Sequence, residues 1–264
     1  MDTVRPLARD ACASPSPVCH MTRYSDLHHP DKNVRLDAAM ALGTRAEPGA
    51  VGALASSLAT EPDFFVRETI VWALVRIGTP SVDAVSALLL HADAAVRTQA
   101  AHALSKLGDT RVSPMLRRAL GDTSTAVVQK AAYALGVLKD VTAIPALVAL
   151  LEHEAPELRN AVRDALTALG EEAVPPLKAM ISGTAASTPA RVASVESLGD
   201  IGGELIFAPL QIAMCDTAWE VRFAAVQALR MQDDPRVASM LQPATTDAHP
   251  HVRLLASRVQ RVRR

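Results

Sequence analysis

The feature that most constrains this chain is a helical pattern that recurs every 30 to 32 residues. The clearest copy is 94–108, AAVRTQAAHALSKLG, in which an arginine precedes a leucine by seven positions. The copies pair Arg35 with Leu42, Arg67 with Leu74, Arg97 with Leu104, Val128 with Leu135, Arg159 with Leu166, Arg191 with Leu198, Arg222 with Leu229 and, one position short, Arg253 with Val259. Such self-similarity predicts a stack of repeated units, each packed mainly on its neighbours.

Each unit has the start and stop signals of two helices. Prolines recur near the start of the first helix, where a missing N–H costs least, at Pro114, Pro145, Pro176 and Pro209. Asp31, Asp63 and Asp93 stand four residues before the repeat arginine, which is the N-cap position of the second helix. Glycines that suit a left-handed cap follow its last apolar residue at Gly78, Gly108 and Gly170.

Composition agrees with small-residue helix packing. Hydrophobic residues make up 49% of the chain and aromatic residues only 3%, which leaves little material for a sheet core. The formal net charge of −1 gives no general attraction for polyanions, so the total charge does not favour a nucleic-acid partner. Three cysteines without a disulfide framework, and no apolar run long enough to cross a membrane, predict a cytoplasmic protein with free thiols.

Residues 1–24 show no helical or strand periodicity and predict a poorly structured tail before a solenoid over 25–264. Met21 is a second candidate start, because the residues after it lead directly into the first unit. Cys12, Cys19 and His20 have metal-binding side chains, but their spacing lacks the short Cys-x2–4-Cys pair of zinc sites. We therefore expect neither a metal nor another cofactor.

The repeat D-x-x-V-R-x-x-A-x-x-A-L-G resembles HEAT-like repeats in the short form of the phycobilisome-lyase type, over about residues 31–264. The resemblance implies an all-α, right-handed solenoid of about seven helical hairpins with an N-terminal half-unit. It does not imply one activity, because this family contains bilin lyases, deoxyhypusine hydroxylases, DNA glycosylase relatives and scaffolds. Val128 departs from the repeat arginine, and the loop 183–189, which has no acidic cap, is a candidate hinge.

The position five residues after the repeat arginine lies outside the Ala and Leu stripe of the second helix. It reads Met40, Trp72, His102, Tyr133, Asp164, Glu196, Gln227 and Arg258. In HEAT-type stacks the second helices line the concave face, so the resemblance places this column along a groove. One turn earlier lie Leu36, Glu68, Thr98, Gln129, Asn160, Val192, Phe223 and Leu254. The predicted binding groove comprises Glu68, Trp72, His102, Gln129, Tyr133, Asn160, Asp164 and Glu196.

Structural explanations compete with several of these assignments. The repeat arginines are expected to tie adjacent units through loop carbonyls and Asp side chains rather than to bind a ligand. Trp72 and Tyr133 could instead pack against the next repeat. Asp164 and Glu196 stand one repeat, about 10 Å, apart, which is wide for a catalytic acid pair. The His153–Glu154 pair on a loop falls short of the several pairs that an iron site needs.

We therefore expect a non-enzymatic binding module that holds a peptide or protein partner in the groove. Two alternatives stay open: a chromophore lyase or isomerase, suggested by the family resemblance, and nucleic-acid binding through the last helix. That helix contains five arginines and no acid, which also suits the polar end cap of a solenoid. They are Arg253, Arg258, Arg261, Arg263 and Arg264.

Overall fold

The computed structural model describes residues 24–262 of the chain, which are helices and connecting turns without a strand. The α-helices are α1 (Lys32–Arg45), α2 (Val51–Leu58), α3 (Phe64–Ile77), α4 (Val82–Ala87), α5 (Ala94–Leu107), α6 (Ser113–Ala119), α7 (Thr125–Val137), α8 (Ile144–Ala149), α9 (Pro156–Leu169), α10 (Val174–Ser182), α11 (Thr188–Ile201), α12 (Phe207–Ala213), α13 (Trp219–Arg230), α14 (Arg236–Met240) and α15 (Pro250–Val262). Short 3-10 turns precede each even-numbered helix or follow it. The predicted all-α repeat solenoid is confirmed.

Each even-numbered helix and the odd-numbered helix after it form one hairpin, so α2 to α15 make seven pairs. A 3-10 helix, Tyr24–His28, takes the place of a first helix before α1. Its Leu27 is buried in the core, and the Ser57 hydroxyl donates a hydrogen bond of 3.2 Å to the Leu27 carbonyl. The N-terminal half-unit is therefore docked on the first complete hairpin. The predicted tail lies outside the described residues, except for Tyr24.

The second helices begin and end where their cap residues predict. The carboxylates of Asp31, Asp63 and Asp93 accept hydrogen bonds from backbone N–H groups in the first turns of α1, α3 and α5. The glycines after α3, α5 and α9 have φ values of +81°, +69° and +76°, which a residue with a side chain rarely adopts. Local cap chemistry thus marks where these helices begin and end.

Every repeat leucine is completely buried, and Val259 takes the same place in α15. These residues lie between the two helices of a hairpin and the hairpins on either side, in one continuous core. No helix of the described residues is both long and apolar enough to span a membrane. Cys215, on the loop after α12, is an exposed free thiol.

Successive second helices pack on one another more extensively than successive first helices do. Small residues eight positions after the repeat arginine permit this: a Cβ atom at Gly136 would lie 3.0 Å from the Ala165 Cα, and one at Gly199 would lie 2.8 Å from the Ala228 Cβ. Gly43 and Ser105 occupy the same position in α1 and α5. Because closer packing shortens one side of a stack, this packing agrees with the prediction that the second helices line the concave side.

Larger residues at the same position accompany looser junctions. Val75, Thr167 and Arg230 stand there in α3, α9 and α13, and these helices make less contact with the next second helix. Spaces between neighbouring helices therefore widen at α3–α5, α9–α11 and α13–α15. The first two of these junctions include most of the predicted groove residues.

The repeat arginines tie the stack together, as predicted. Each of the seven donates from Nη1 to backbone carbonyls of the loop before its own helix. Four also reach a carboxylate of the next repeat: Arg35 to Glu61, Arg97 to Asp122, Arg191 to Asp216 and Arg222 to Asp247. The Arg222–Asp247 pair is bidentate, with N···O distances of 2.7 and 2.8 Å.

The carboxylates that pair with the repeat arginines stand six residues before the repeat position of the next unit. In the first half of the chain this place holds a histidine and a carboxylate in turn. Where it holds Glu61 or Asp122, the side chain also accepts a hydrogen bond from the backbone N–H two residues later. His29, His91 and His153 perform that same capping role through Nδ1, at 3.0–3.1 Å. This capping role requires Nδ1 to be unprotonated. Because a histidine stands at this place, it offers no carboxylate to the arginine of the previous repeat. The His153–Glu154 pair is thus part of a loop cap.

Candidate functional site

The predicted site residues all lie on odd-numbered helices, and we call the face of these helices that carries them the groove. Side chains at intervals of three and four positions share one face of a helix, so each second helix contributes several groove positions. Trp72 and Tyr133 are 39% and 53% exposed, and Met40 is also exposed. These three apolar or aromatic side chains stand at equivalent positions of α1, α3 and α7.

Trp72 has both a packed and an open face. A Cβ atom at Gly43 would lie 2.5 Å from the Trp72 ring, so the indole sits directly against the backbone of α1. Its packing partner is the preceding repeat, whereas the competing explanation from the sequence placed it against the next one. The remaining exposed part of the ring faces the groove.

Glu68 and His102 face each other across the α3–α5 junction. The distance between His102 Nε2 and Glu68 Oε2 is 3.9 Å, and His102 Nδ1 has no hydrogen-bond partner among the described residues. Burial lowers the pKa of His102 below its usual value, nearby Lys106 and Lys130 lower it further, and Glu68 acts in the opposite direction. His102 is therefore a neutral, mostly buried side chain at neutral pH.

The acidic part of the groove contains a cation that the sequence analysis did not assign to it. Arg163 stands four positions after the repeat arginine, where α3, α11 and α13 have valine and α1, α5 and α7 have alanine. Its guanidinium contacts Glu196 at 2.9 Å and Asp200 at 3.0 Å, both on α11. The ion pairs bridge the α9–α11 junction, where Arg159 forms no ion pair with a carboxylate of residues 24–262.

The other predicted residues lie along the same surface. Gln129 is half-buried on α7, and Asn160 and Asp164 are exposed on α9. Asn160, Arg163 and Glu196 line one pocket of about 440 Å³ together with Val192 and Glu220. Glu196 is bound to Arg163, so it is not an available partner for Asp164 in acid–base chemistry. The described residues contain no group of three or more His, Cys, Asp or Glu side chains that could hold a metal ion.

Aromatic residues at the N-terminal ends of the second helices were missed by the sequence analysis. Phe65, two helical turns before Trp72 and on the same face of α3, is 67% exposed and forms an edge-to-face pair with Phe64. At the other end, the Trp219 and His249 rings stack at a centroid distance of 3.9 Å. Phe65 stands two positions before Arg67, outside the two predicted columns, but its seven-residue separation from Trp72 places both side chains on one face of α3.

The C-terminal arginines have different roles. Arg253 donates to the carbonyls of Asp247 and Ala248, as the other repeat arginines do in their loops. Arg258 is exposed, and Arg261 lies near the Ser257 carbonyl of its own helix. Arg263 and Arg264 lie outside the described residues. The basic end of α15 therefore has the polar character of a terminal cap.

Comparisons with known proteins agree with the repeat pattern. A family model described as HEAT repeats matches residues 24–89, 81–136, 121–188 and 174–259. No curated protein sequence matches the chain.

Several solved structures share the fold at low sequence identity. An archaeal HEAT-like repeats protein from Thermococcus onnurineus is 15% identical, with a TM-score of 0.50 over 80% of this chain and 96% of that one. The E. coli protein YibA is 15% identical, with a TM-score of 0.50 over 90% of each chain. The complex of CpcE and CpcF of phycocyanin lyase from Nostoc sp. is 21% identical, with a TM-score of 0.46 over 97% and 99%. Such identities show the fold alone.

Proposed function

The chain belongs to the HEAT-repeat family, and we propose that it is a non-enzymatic binding scaffold whose groove receives a peptide or protein segment. The observation that carries the proposal is the exposure of Phe65, Trp72 and Tyr133 on one surface of a chain with few aromatic residues. Partly exposed aromatic side chains with packed bases are typical anchors of protein interfaces. A rigid stack of helices also presents such anchors without a large ordering cost.

The titratable groups of the groove favour binding over catalysis. Glu196 is engaged by Arg163, and His102 is held neutral by burial at 3.9 Å from Glu68. The His102–Glu68 distance is longer than the hydrogen-bond distance of about 2.6–3.2 Å at which a carboxylate would orient a catalytic histidine. Nucleic-acid binding by the repeat arginines is disfavoured because their Nη1 donors are used by loop carbonyls. A cytoplasmic location stays a prediction from the cysteines.

Site-specific photo-cross-linking tests the proposal. A benzophenone amino acid replaces Tyr133 in the groove, and a matched control replaces Val141, which is exposed on the turn before α8. The purified variants are irradiated in an extract of the native source, and the adducts are identified by mass spectrometry. We expect adducts with one defined protein at position 133, lost when Trp72→Ala is added, and no such adduct at position 141. Equal labelling at both positions would overturn the proposal.

A further inference from the structure

The charges of the groove change sign along its length. Apart from the repeat arginines, α3, α5 and α7 carry three cations, Arg76, Lys106 and Lys130, and a single carboxylate, Glu68. The next three second helices carry five carboxylates and two guanidinium groups. The carboxylates are Glu157, Asp164, Glu196, Asp200 and Glu220, and the guanidinium groups belong to Arg163 and Arg230. The sign changes between α7 and α9.

The helix dipole explains only part of this distribution. Cations are favoured in the last turn of a helix and carboxylates in the first, which accounts for Arg76, Lys106, Glu157 and Glu220. It does not account for Lys130 in the first half of α7, nor for Asp164 in the middle of α9. The remaining asymmetry is a property of the groove surface.

Most of these charges are available to a partner. Within residues 24–262, no ion pair involves Arg76, Lys106 or Lys130, and none involves Glu157, Asp164 or Glu220. Lys106 and Lys130 lie close enough to His102 to lower its pKa, so both contribute positive potential beside the same groove residue. Glu220 lines the same pocket as Asn160 and Glu196. Trp72 and Tyr133 lie within the basic half.

From this polarity we infer that the groove is specific for a segment with an acidic block next to a basic block, and that the charges set its direction. The acidic block, with an apolar anchor, lies over α3–α7, and the basic block lies over α9–α13. Five helix spacings of about 10 Å make the stretch about 50 Å, which an extended segment of about 15 residues spans. This inference rests on the proposed peptide-binding role. It explains how a chain of near-zero net charge can select a charged partner.

Three fluorescein-labelled peptides of about 15 residues and identical composition test the inference. One has an acidic block followed by a basic block, the second has the reverse order, and the third alternates the charges. Each contains one Leu-Phe pair, which lies within the acidic block of the first two peptides. Fluorescence anisotropy at about 50 mM salt measures the affinity of the full-length protein. We expect at least one block peptide to bind about tenfold more tightly than the alternating peptide, with the difference decreasing at higher salt.

Charge-reversal variants test whether the preference for a block peptide arises in the groove. The double variant Lys106→Glu/Lys130→Glu should weaken the preferred block peptide about tenfold. Its matched control is Arg118→Glu/Lys178→Glu, which changes the net charge equally at exposed positions of α6 and α10. Equal affinity for all three peptides, including no binding, overturns the polarity inference, as does an equal loss in both double variants. The proposed binding role is judged separately, by whether cross-linking at Tyr133 depends on Trp72.

Discussion

The indole ring of Trp72 occupies space that exists only because residue 43 is glycine. A Cβ atom at position 43 would lie 2.5 Å from the Trp72 ring and 2.7 Å from the Cα of Ala73. The ring is therefore fixed from one side by the α1 backbone while its exposed edge faces the groove. The close packing of α1 on α3 therefore also holds the proposed binding residue Trp72 in place.

Gly43→Ala should destabilise the protein by about 1–3 kcal/mol, because the added methyl group forces α1 and α3 apart. The control is Gly52→Ala in α2, where a Cβ atom meets nothing within 4 Å. That substitution should instead stabilise the helix by about 0.5–1 kcal/mol. Urea denaturation of both variants makes the comparison, and a neutral Gly43→Ala would contradict the close approach of the two helices.

The two groove aromatics should differ in their contribution to stability. Trp72→Ala removes a half-packed ring and should cost about 2 kcal/mol, whereas Tyr133→Ala should cost less than about 1 kcal/mol because the ring is 53% exposed. Thermal melts measure both. Acrylamide quenching of Trp72 in a Trp219→Phe background should be intermediate. An unquenched Trp72 would mean that it is a core residue and would remove its support for a binding groove.

The ion pair between Arg222 and Asp247 should make the free energy of unfolding depend on pH in the acidic range. The hydrogen bonds from Arg222 are the main reason that the pKa of Asp247 is lowered. A carboxylate with a lowered folded-state pKa contributes stability above its unfolded pKa, about 4, and this contribution is lost as the pH falls through the folded value. Arg222→Ala should therefore cost about 1–3 kcal/mol at pH 7 and less at pH 3.

Arg67→Ala is the matched control for this link, because Arg67 binds loop carbonyls and has no carboxylate in the next repeat. Its loss should be smaller than that of Arg222→Ala and should not follow the titration of a carboxylate. Denaturation curves at pH 7 and pH 3 separate the two variants. If the two variants lost the same stability at both pH values, the Arg222–Asp247 ion pair would add nothing to the hydrogen bonds with the loop carbonyls.

The sequence predicted the fold well because its signals are local and repeated. Asp93 and Gly108 mark one helix by their chemistry alone, and the buried Leu104 follows from the helical period. The groove was less predictable, since it depends on distances between repeats. The ion pairs of Arg163 require α11 to lie within reach, and the packed face of Trp72 requires a glycine 29 positions earlier in the chain. Neither relationship follows from the period of one helix.

Arg163 also leads to a prediction about the α9–α11 junction. Arg163→Met keeps most of the side-chain volume at a position that is valine or alanine in six other second helices, and it removes the contacts with Glu196 and Asp200. Because both acids are partly solvated, we expect stability to change by no more than about 1 kcal/mol. Calorimetric melts check this, and a loss above about 3 kcal/mol would mean that the ion pairs hold the two halves of the stack together.

The last prediction concerns the pH dependence that His102 confers. Its pKa is lowered chiefly by burial and then by Lys106 and Lys130, so the unfolded state binds the proton more readily than the folded state. Stability is therefore complete above the unfolded pKa of about 6.5 and decreases as the pH falls through and below it. His102→Gln should remove that decrease between about pH 6.5 and pH 5. His91→Gln is the comparison variant. His91 lies on the loop before α5, and its Nδ1 accepts a backbone hydrogen bond, whereas Nδ1 of His102 has no partner among the described residues. Denaturation midpoints measured across this range would contradict the assignment if the His102→Gln protein kept the full pH dependence of the unmodified chain.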